Sequence, residues 1–238
     1  MTGTAGPKRF YKTVAAVPLR DEHTVALDGR PVRTPLKTPL SLPSRLLAEA
    51  IAAEWAAQGE RVDFHTMPLM GFASAAVDRV APRRDDVIGE LVAFGGTDLL
   101  CYRAESPPAL VARQAAAWQP RLDWLAETHG IRLRATTGVI HLEQEAAALD
   151  RLRAVIAGQE DFALAALHAL TTGTGSVVLA LSVEAGQIDA AAAAAAGHLD
   201  ELFQAEQWGE DPLAVERRDR IAGELVEAER FLRLATAA

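Results

Sequence analysis

Residues 61–79, RVDFHTMPLMGFASAAVDR, separate two kinds of sequence. Up to Met67 the stretch reads as extended chain. From Pro68 onward apolar residues recur at helical spacing, at Leu69, Phe72, Ala76 and Val80. Pro68 is itself placed to open a helix, because a first-turn residue needs no N–H. We therefore expect a domain boundary near Thr66, with a β-rich N-terminal domain over residues 1–66 and a helical C-terminal domain over residues 67–238. The fold class is α+β: a small sheet packed with a helix, followed by a larger, mainly helical body.

Upstream, residues 10–17 are rich in β-formers, and residues 24–27 continue the pattern up to Asp28-Gly29. That dipeptide is a short hairpin signal, since both central positions of a tight hairpin turn need positive φ. Pro35, Pro39 and Pro43 then confine residues 36–42 to an edge or to irregular extended chain. Ser44 is suited to cap a helix whose face carries Leu47, Ala50, Ile51, Glu54 and Trp55.

Downstream, helices are expected after Pro82 and after Pro108. The second carries Val111, Ala115, Trp118, Leu122 and Leu125, with a kink or restart at Pro120. Arg83-Arg84 precede Asp85-Asp86 and read as neutralised by them. Thr136-Thr137-Gly138 suggests a short hairpin. Residues 176–183 are apolar throughout, and periodicity leaves helix and strand open there. The alanine run over residues 190–196 favours helix and close approach by a neighbour, and it leads into the stretch 198–212. The last helix shows Ile221, Leu225, Ala228 and Leu232 on one face, with Glu216–Arg220 and Glu229–Arg233 as i,i+4 pairs on a solvated one.

The stretch 198–212, HLDELFQAEQWGEDP, reads as a helix and its stop. Leu199, Leu202, Phe203 and Glu206 share a stripe that ends in a carboxylate, while Asp200, Glu201, Gln204 and Gln207 fill the polar arc. Gly209 suits a left-handed cap, and Asp211-Pro212 can open the next helix. Two readings of Glu206 stay open: an ion pair with an arginine of a neighbouring helix, or a carboxylate held for an outside partner. Trp208 is likewise either a packing residue or a contact residue.

Here the chain resembles a known family. Glu206-Gln207-Trp208-Gly209 with Asp211, the run Arg9-Phe10-Tyr11-Lys12, the segment from Leu27-Asp28-Gly29 to Pro35, and Gly96-Thr97-Asp98 before Cys101-Tyr102-Arg103 are similar, in order and spacing, to the assembly chaperones for the alpha subunit of F-type ATP synthase. The resemblance implies a non-enzymatic protein that holds free alpha subunit until it meets the beta subunit. It makes Glu206, Trp208, Asp200, Glu201 and Gln207 candidate partner-binding residues. It also tips residues 176–183 toward helix.

Composition bounds the alternatives. A net charge of -8 and a pI near 5.3 argue against nucleic acid, whose binding needs a basic stripe. One cysteine, Cys101, excludes an internal disulfide or a CxxC pair, and its apolar context suggests a buried, inert thiol. No apolar run approaches the ~20 residues of a membrane span, and residues 1–10 lack a secretory apolar core. The expectation is a cytoplasmic bacterial monomer without metal or cofactor, whose relatives in eukaryotes work in the mitochondrial matrix. No HExxH or comparable metal pairing exists, and no catalytic residue is named.

The alternative function is a small-molecule or nucleotide-binding enzyme using Gly173-Thr174-Gly175-Ser176 and an interdomain cleft. Such a glycine-rich loop before a helix can present N–H groups to an anion, although this one lacks the P-loop lysine. A third reading is a homo-oligomeric module that buries Trp208 against a second copy.

Overall fold

The computed structural model describes residues 6–237; the first five residues and the last residue of the two expected domains lie outside that range. The chain forms two compact units. The first gathers the described residues up to Arg84 with Asp161–Ala166 and those from Arg230 on; the second holds Asp85–Glu160 and Leu167–Glu229.

In the first unit, β1 (Val14–Leu19), β2 (Glu22–Leu27) and β3 (Arg30–Pro31) form an antiparallel sheet in the order β1-β2-β3. β1 starts four residues later than the β-forming run suggested, because Lys12 and Thr13 give their N–H groups to the Asp28 carboxylate. Those bonds, with one from the Thr13 hydroxyl, hold the Asp28 carboxyl below its usual range. The Asp28-Gly29 turn closes the expected hairpin with φ of 49° and 78°, both in the left-handed region. After it, the proline-punctuated chain turns back on itself at residues 34–37, with Arg33 bridging Pro39, and then bridges β2 through Leu42 and His23.

Helix α1 (Arg45–Ala56) starts at Ser44, whose Oγ accepts the Leu47 N–H at 3.0 Å. Leu47, Ala48, Ile51 and Trp55 are buried. Glu54, on the expected apolar face, serves as a cap instead of a core residue. Its carboxylate accepts the N–H groups of Leu69 and Met70 at 2.8 and 2.9 Å, at the start of α2 (Pro68–Ala75). Past α2 the helix does not stop and restart. It passes through a π turn (Ala76–Val80) and a 3-10 turn (Ala81–Arg83) into α3 (Arg84–Gly96). Pro82 explains the widening: it has no N–H for the Asp78 carbonyl, and the Ala81 N–H bonds to the Ala76 carbonyl, five residues back. Arg84 pairs with Asp161. Leu40, Leu42, Leu47, Ile51, Met67 and Leu69 build the core, and Phe231 closes it by stacking on Phe162 and tilting against Phe72.

The second unit is mainly helical. It contains most of α3, a 3-10 turn (Leu99–Cys101), β4 (Tyr102–Arg103), α4 (Pro108–His129), β5 (Thr136–Thr137), α5 (Ala146–Ala157), most of α6 (Asp161–Thr174), α7 (Val177–Glu184), α8 (Ala190–Gly197), α9 (Leu199–Trp208) and most of α10 (Pro212–Ala235). Thr136 and Thr137 do not form the expected hairpin; β5 pairs parallel with β4. Pro120 does not restart α4, which runs through it unbroken; it sits on the exposed side, where water can serve the carbonyl it leaves free. The first part of the α4 stripe is displaced: Leu110 and Gln114 are buried, while Ala115 is exposed. Residues 176–183 resolve as α7, in which every residue from Val177 to Val183 is buried, hence the missing amphipathic signal.

The alanine run ends at Gly197 as its own helix. A Cβ there would lie 2.7 Å from the Thr174 carbonyl oxygen. Glu229 is not on a solvated face: it is buried, and its carboxylate accepts the Ala190 N–H at 2.8 Å where α8 begins. On the exposed side of α10 the salt bridge runs from Arg220 to Glu224.

Candidate partner-binding surface

Helix α9 buries Phe203 and half-buries Leu199 and Leu202, so the apolar stripe holds it to the body of its unit. It ends at Gly209, with φ 90° and ψ 162°. This is not the expected left-handed helical cap but an extended conformation with positive φ, open essentially to glycine alone. The turn releases the chain quickly. Asp211 accepts the Leu213 N–H at 3.0 Å, and Pro212 begins α10 as expected. Residues 206–213 consequently form an exposed corner between two helices. Trp208 is 80% exposed and Leu213 74% exposed, beside the carboxylates of Glu206, Glu210 and Asp211.

The five candidate residues divide by what they touch. Asp200 faces inward and accepts from Gln114 Nε2 at 2.7 Å. Glu201 binds Arg217 and, at 2.9 Å, Arg218, whose other nitrogen reaches Glu210 at 3.2 Å. Burial pushes the Glu201 carboxyl up, but the two arginines outweigh it and hold it below its usual range. Glu206 is paired with Arg113 at 2.7 Å, with both side chains about half exposed. That hydrogen bond holds the Glu206 carboxyl down. The Arg113 guanidinium also lies 5.1 Å from the Phe203 ring centre, which ties the pair to the buried stripe. Gln207 and Trp208 are exposed.

Asp200 and Glu201 thus brace the corner, while Glu206, Gln207 and Trp208 are presented by it. Sequence reasoning did not reach Leu213, Glu210 or the bracing arginines. An exposed Leu after a capping Asp-Pro carries no periodic signal, and Arg113 is 93 residues from its partner.

The glycine-rich segment is a buried junction. Thr171, Thr174 and Ser176 are buried, Gly173 packs against Leu225, and Gly175 is the left-handed cap of α6. The start of α7, where an anion would sit, is filled by the carboxylate of Asp98, fully buried and bonded to Ser176 Oγ at 2.7 Å, Leu100 N at 3.0 Å and Val178 N at 3.2 Å. Burial raises the Asp98 carboxyl to about 6 against the pull of those bonds. The nearby Cys101 thiol is pushed up to about 12, by burial first and by the Asp98 charge second, with Arg103 opposing. It is a structural thiol, not a nucleophile.

By fold the chain is an α+β protein with a small sheet region and a mostly helical body. The family model described as ATP12 chaperone protein matches residues 8–126. The mitochondrial protein atp12 of Schizosaccharomyces pombe is 25% identical over 226 residues, spanning 89% of this chain and 78% of that protein. The crystal structure of Atp12 from Paracoccus denitrificans matches with a TM-score of 0.93 and 44% identity over 96% of this chain and 98% of that one. A point mutant of the same Paracoccus protein matches with the same TM-score and identity.

The chain belongs to the ATP12 chaperone family. That family is described as one of chaperones, not of enzymes. The resemblance carried by Arg9-Phe10-Tyr11-Lys12, Asp28-Gly29 and Glu206-Gln207-Trp208-Gly209 to the ATP synthase assembly chaperones agrees with these matches. Among the described residues, no helix is long and apolar enough to cross a membrane.

Proposed function

We propose that this ATP synthase assembly chaperone works in the bacterial cytoplasm, as a monomer, by holding the unassembled alpha subunit and covering its exposed interface until the beta subunit arrives. The corner at residues 206–213 is the contact surface. The observation that carries the reading is Trp208, 80% exposed at a rigidly braced helix end and accompanied by Leu213. An exposed tryptophan with an apolar neighbour is an anchor seeking a pocket, and aromatic anchors dominate binding energy at protein interfaces. Glu206, Glu210 and Asp211 around it would set register and speed encounter with a basic rim.

A free subunit exposes apolar surface destined for its neighbour, and such surface aggregates unless covered. Covering it reversibly needs an anchor of moderate size with a charged rim, which matches residues 206–213. Glu206 can engage a client without a large folding penalty, because its pair with Arg113 is half exposed and screened by solvent.

The test is co-elution of purified alpha subunit with the parent chain and with Trp208→Ala and Glu206→Lys. The parent should capture alpha, and both variants should fold normally and capture it less. Undiminished capture by both variants would remove residues 206–213 from the interface.

A further inference from the structure

Charge is divided unevenly between the two units. The first carries 14 Lys and Arg against 9 Asp and Glu; the second carries 10 against 23. The chain's acidity therefore belongs to the helical unit alone, and the sheet unit is basic.

The basic unit also has an aromatic face of its own. Phe10, Tyr11, Trp55 and Phe64 form a row of edge-to-face contacts with successive ring centres 5.3, 5.5 and 6.2 Å apart. The inner two rings are buried, while the end members are exposed, Phe10 by 70% and Phe64 by 58%. The Tyr11 hydroxyl donates to the Trp55 carbonyl at 2.7 Å and fixes the row. Trp55 Nε1–H is buried with no acceptor among the described residues.

Cations flank this row and are held by backbone carbonyls. Arg9 donates to the carbonyls of Tyr11 and Gln58 and lies 4.6 Å from the Tyr11 ring centre. Arg61 donates to the Gly6 carbonyl at 2.7 Å. Among the described residues, neither has a carboxylate partner. Carbonyls orient a guanidinium without neutralising it, whereas in the helical unit Arg113, Arg217, Arg218 and Arg220 each hold a carboxylate. Lys8 and Arg61 are direct antiparallel partners, two like charges set opposite each other at some cost to the bridge. Fixed cations beside exposed rings suit an acidic chain that also brings an apolar side chain.

We propose that the Phe10–Phe64 face is a second docking surface that takes an acidic, extended segment of the client protein; this rests on the client reading above. An anionic membrane is the less favoured occupant. Polybasic membrane binding uses clusters of about 4–8 mobile cations, and here Arg9 and Arg61 are pinned to backbone carbonyls.

The test uses the full chain with benzoylphenylalanine in place of Phe64, illuminated with purified alpha subunit, alongside the double variants Phe10→Ala with Phe64→Ala and Lys8→Glu with Arg61→Glu. The expected result is a crosslink to an Asp- or Glu-rich segment of alpha. Capture by either double variant should weaken about tenfold or more, with the thermal unfolding midpoint unchanged. Capture by the parent chain with no crosslink from position 64 and no loss in the double variants overturns this surface alone. No capture of alpha by the parent chain sinks the client reading and this inference together. Co-sedimentation with phosphatidylserine vesicles that Phe10→Ala with Phe64→Ala abolishes, while alpha capture stays intact, would assign the face to a membrane and overturn the proposal.

Discussion

Replacing Asp98 by Asn should change how stability depends on pH, with a sign that distinguishes burial from hydrogen bonding. In the folded protein the carboxyl is raised to about 6, against about 3.9 when unfolded. Between those values the folded state holds the proton more tightly. The group's contribution to stability is therefore largest below about pH 4 and is lost as pH rises through about 6. A difference of two pKa units corresponds to about 3 kcal/mol. Asn keeps the oxygen that accepts from both the Ser176 hydroxyl and the Leu100 N–H, gives up the acceptor of the Val178 N–H, and does not titrate. The stability of the parent relative to Asp98→Asn should thus fall by about 2 kcal/mol between pH 4 and pH 7.5. Urea unfolding of both proteins at the two pH values measures this directly, since other titrating groups cancel. A flat difference, or a parent that gains relative to the variant as pH rises, would refute the reasoning. The first would mean that the donors around Asp98 balance its desolvation, the second that they outweigh it.

Other outcomes follow from single contacts. Cys101, with its thiol pushed up to about 12, should react with iodoacetamide at pH 8 about a thousandfold more slowly in the folded protein than after unfolding. Mass spectrometry of the alkylated fraction reads this, and equal rates would contradict it. Gly197→Ala would place a Cβ 2.7 Å from the Thr174 carbonyl oxygen, so it should cost about 1–3 kcal/mol in denaturant unfolding. Gly223→Ala, in open space on α10, should instead stabilise by about 0.5–1 kcal/mol. Trp208→Ala should leave the unfolding midpoint unmoved, because the ring is 80% exposed, yet weaken alpha capture about ten- to a hundredfold in titration calorimetry.

Features that depend on neighbours in sequence were legible before any coordinates. Asp28-Gly29 specified its turn because both residues must adopt positive φ, and Ser44 specified the start of α1 through a bond three residues away. The α+β fold class followed from the β-forming residues before Pro68 and the helical spacing after it. Features that depend on distant partners were not legible. Glu54 shared a face with Leu47, Ile51 and Trp55, and its capping role required Leu69 and Met70, whose N–H groups it accepts. Glu229 looked solvated until α8 placed its first N–H against it. Phe231 and Phe162 close the core of the sheet unit from segments that no local pattern links to it.

The candidate surface was half legible for the same reason. The stripe ending in Glu206 marked the helix end, and the family resemblance marked Trp208. The sequence left open whether Glu206 was paired, and Arg113 answers that across 93 residues. The pair is nevertheless exposed enough to be shared with a partner. The bracing role of Asp200 and Glu201 came only with Gln114, Arg217 and Arg218. Periodicity along α9 could not separate a carboxylate that supports the corner from one the corner presents.

Analytical gel filtration of the purified chain with alpha subunit alone, followed by addition of beta subunit, decides whether the chain is a holder of alpha. A stable complex with alpha should form and dissociate, releasing the chaperone free, as beta joins alpha. A chain that forms no complex with alpha, or one that beta cannot displace, would contradict it.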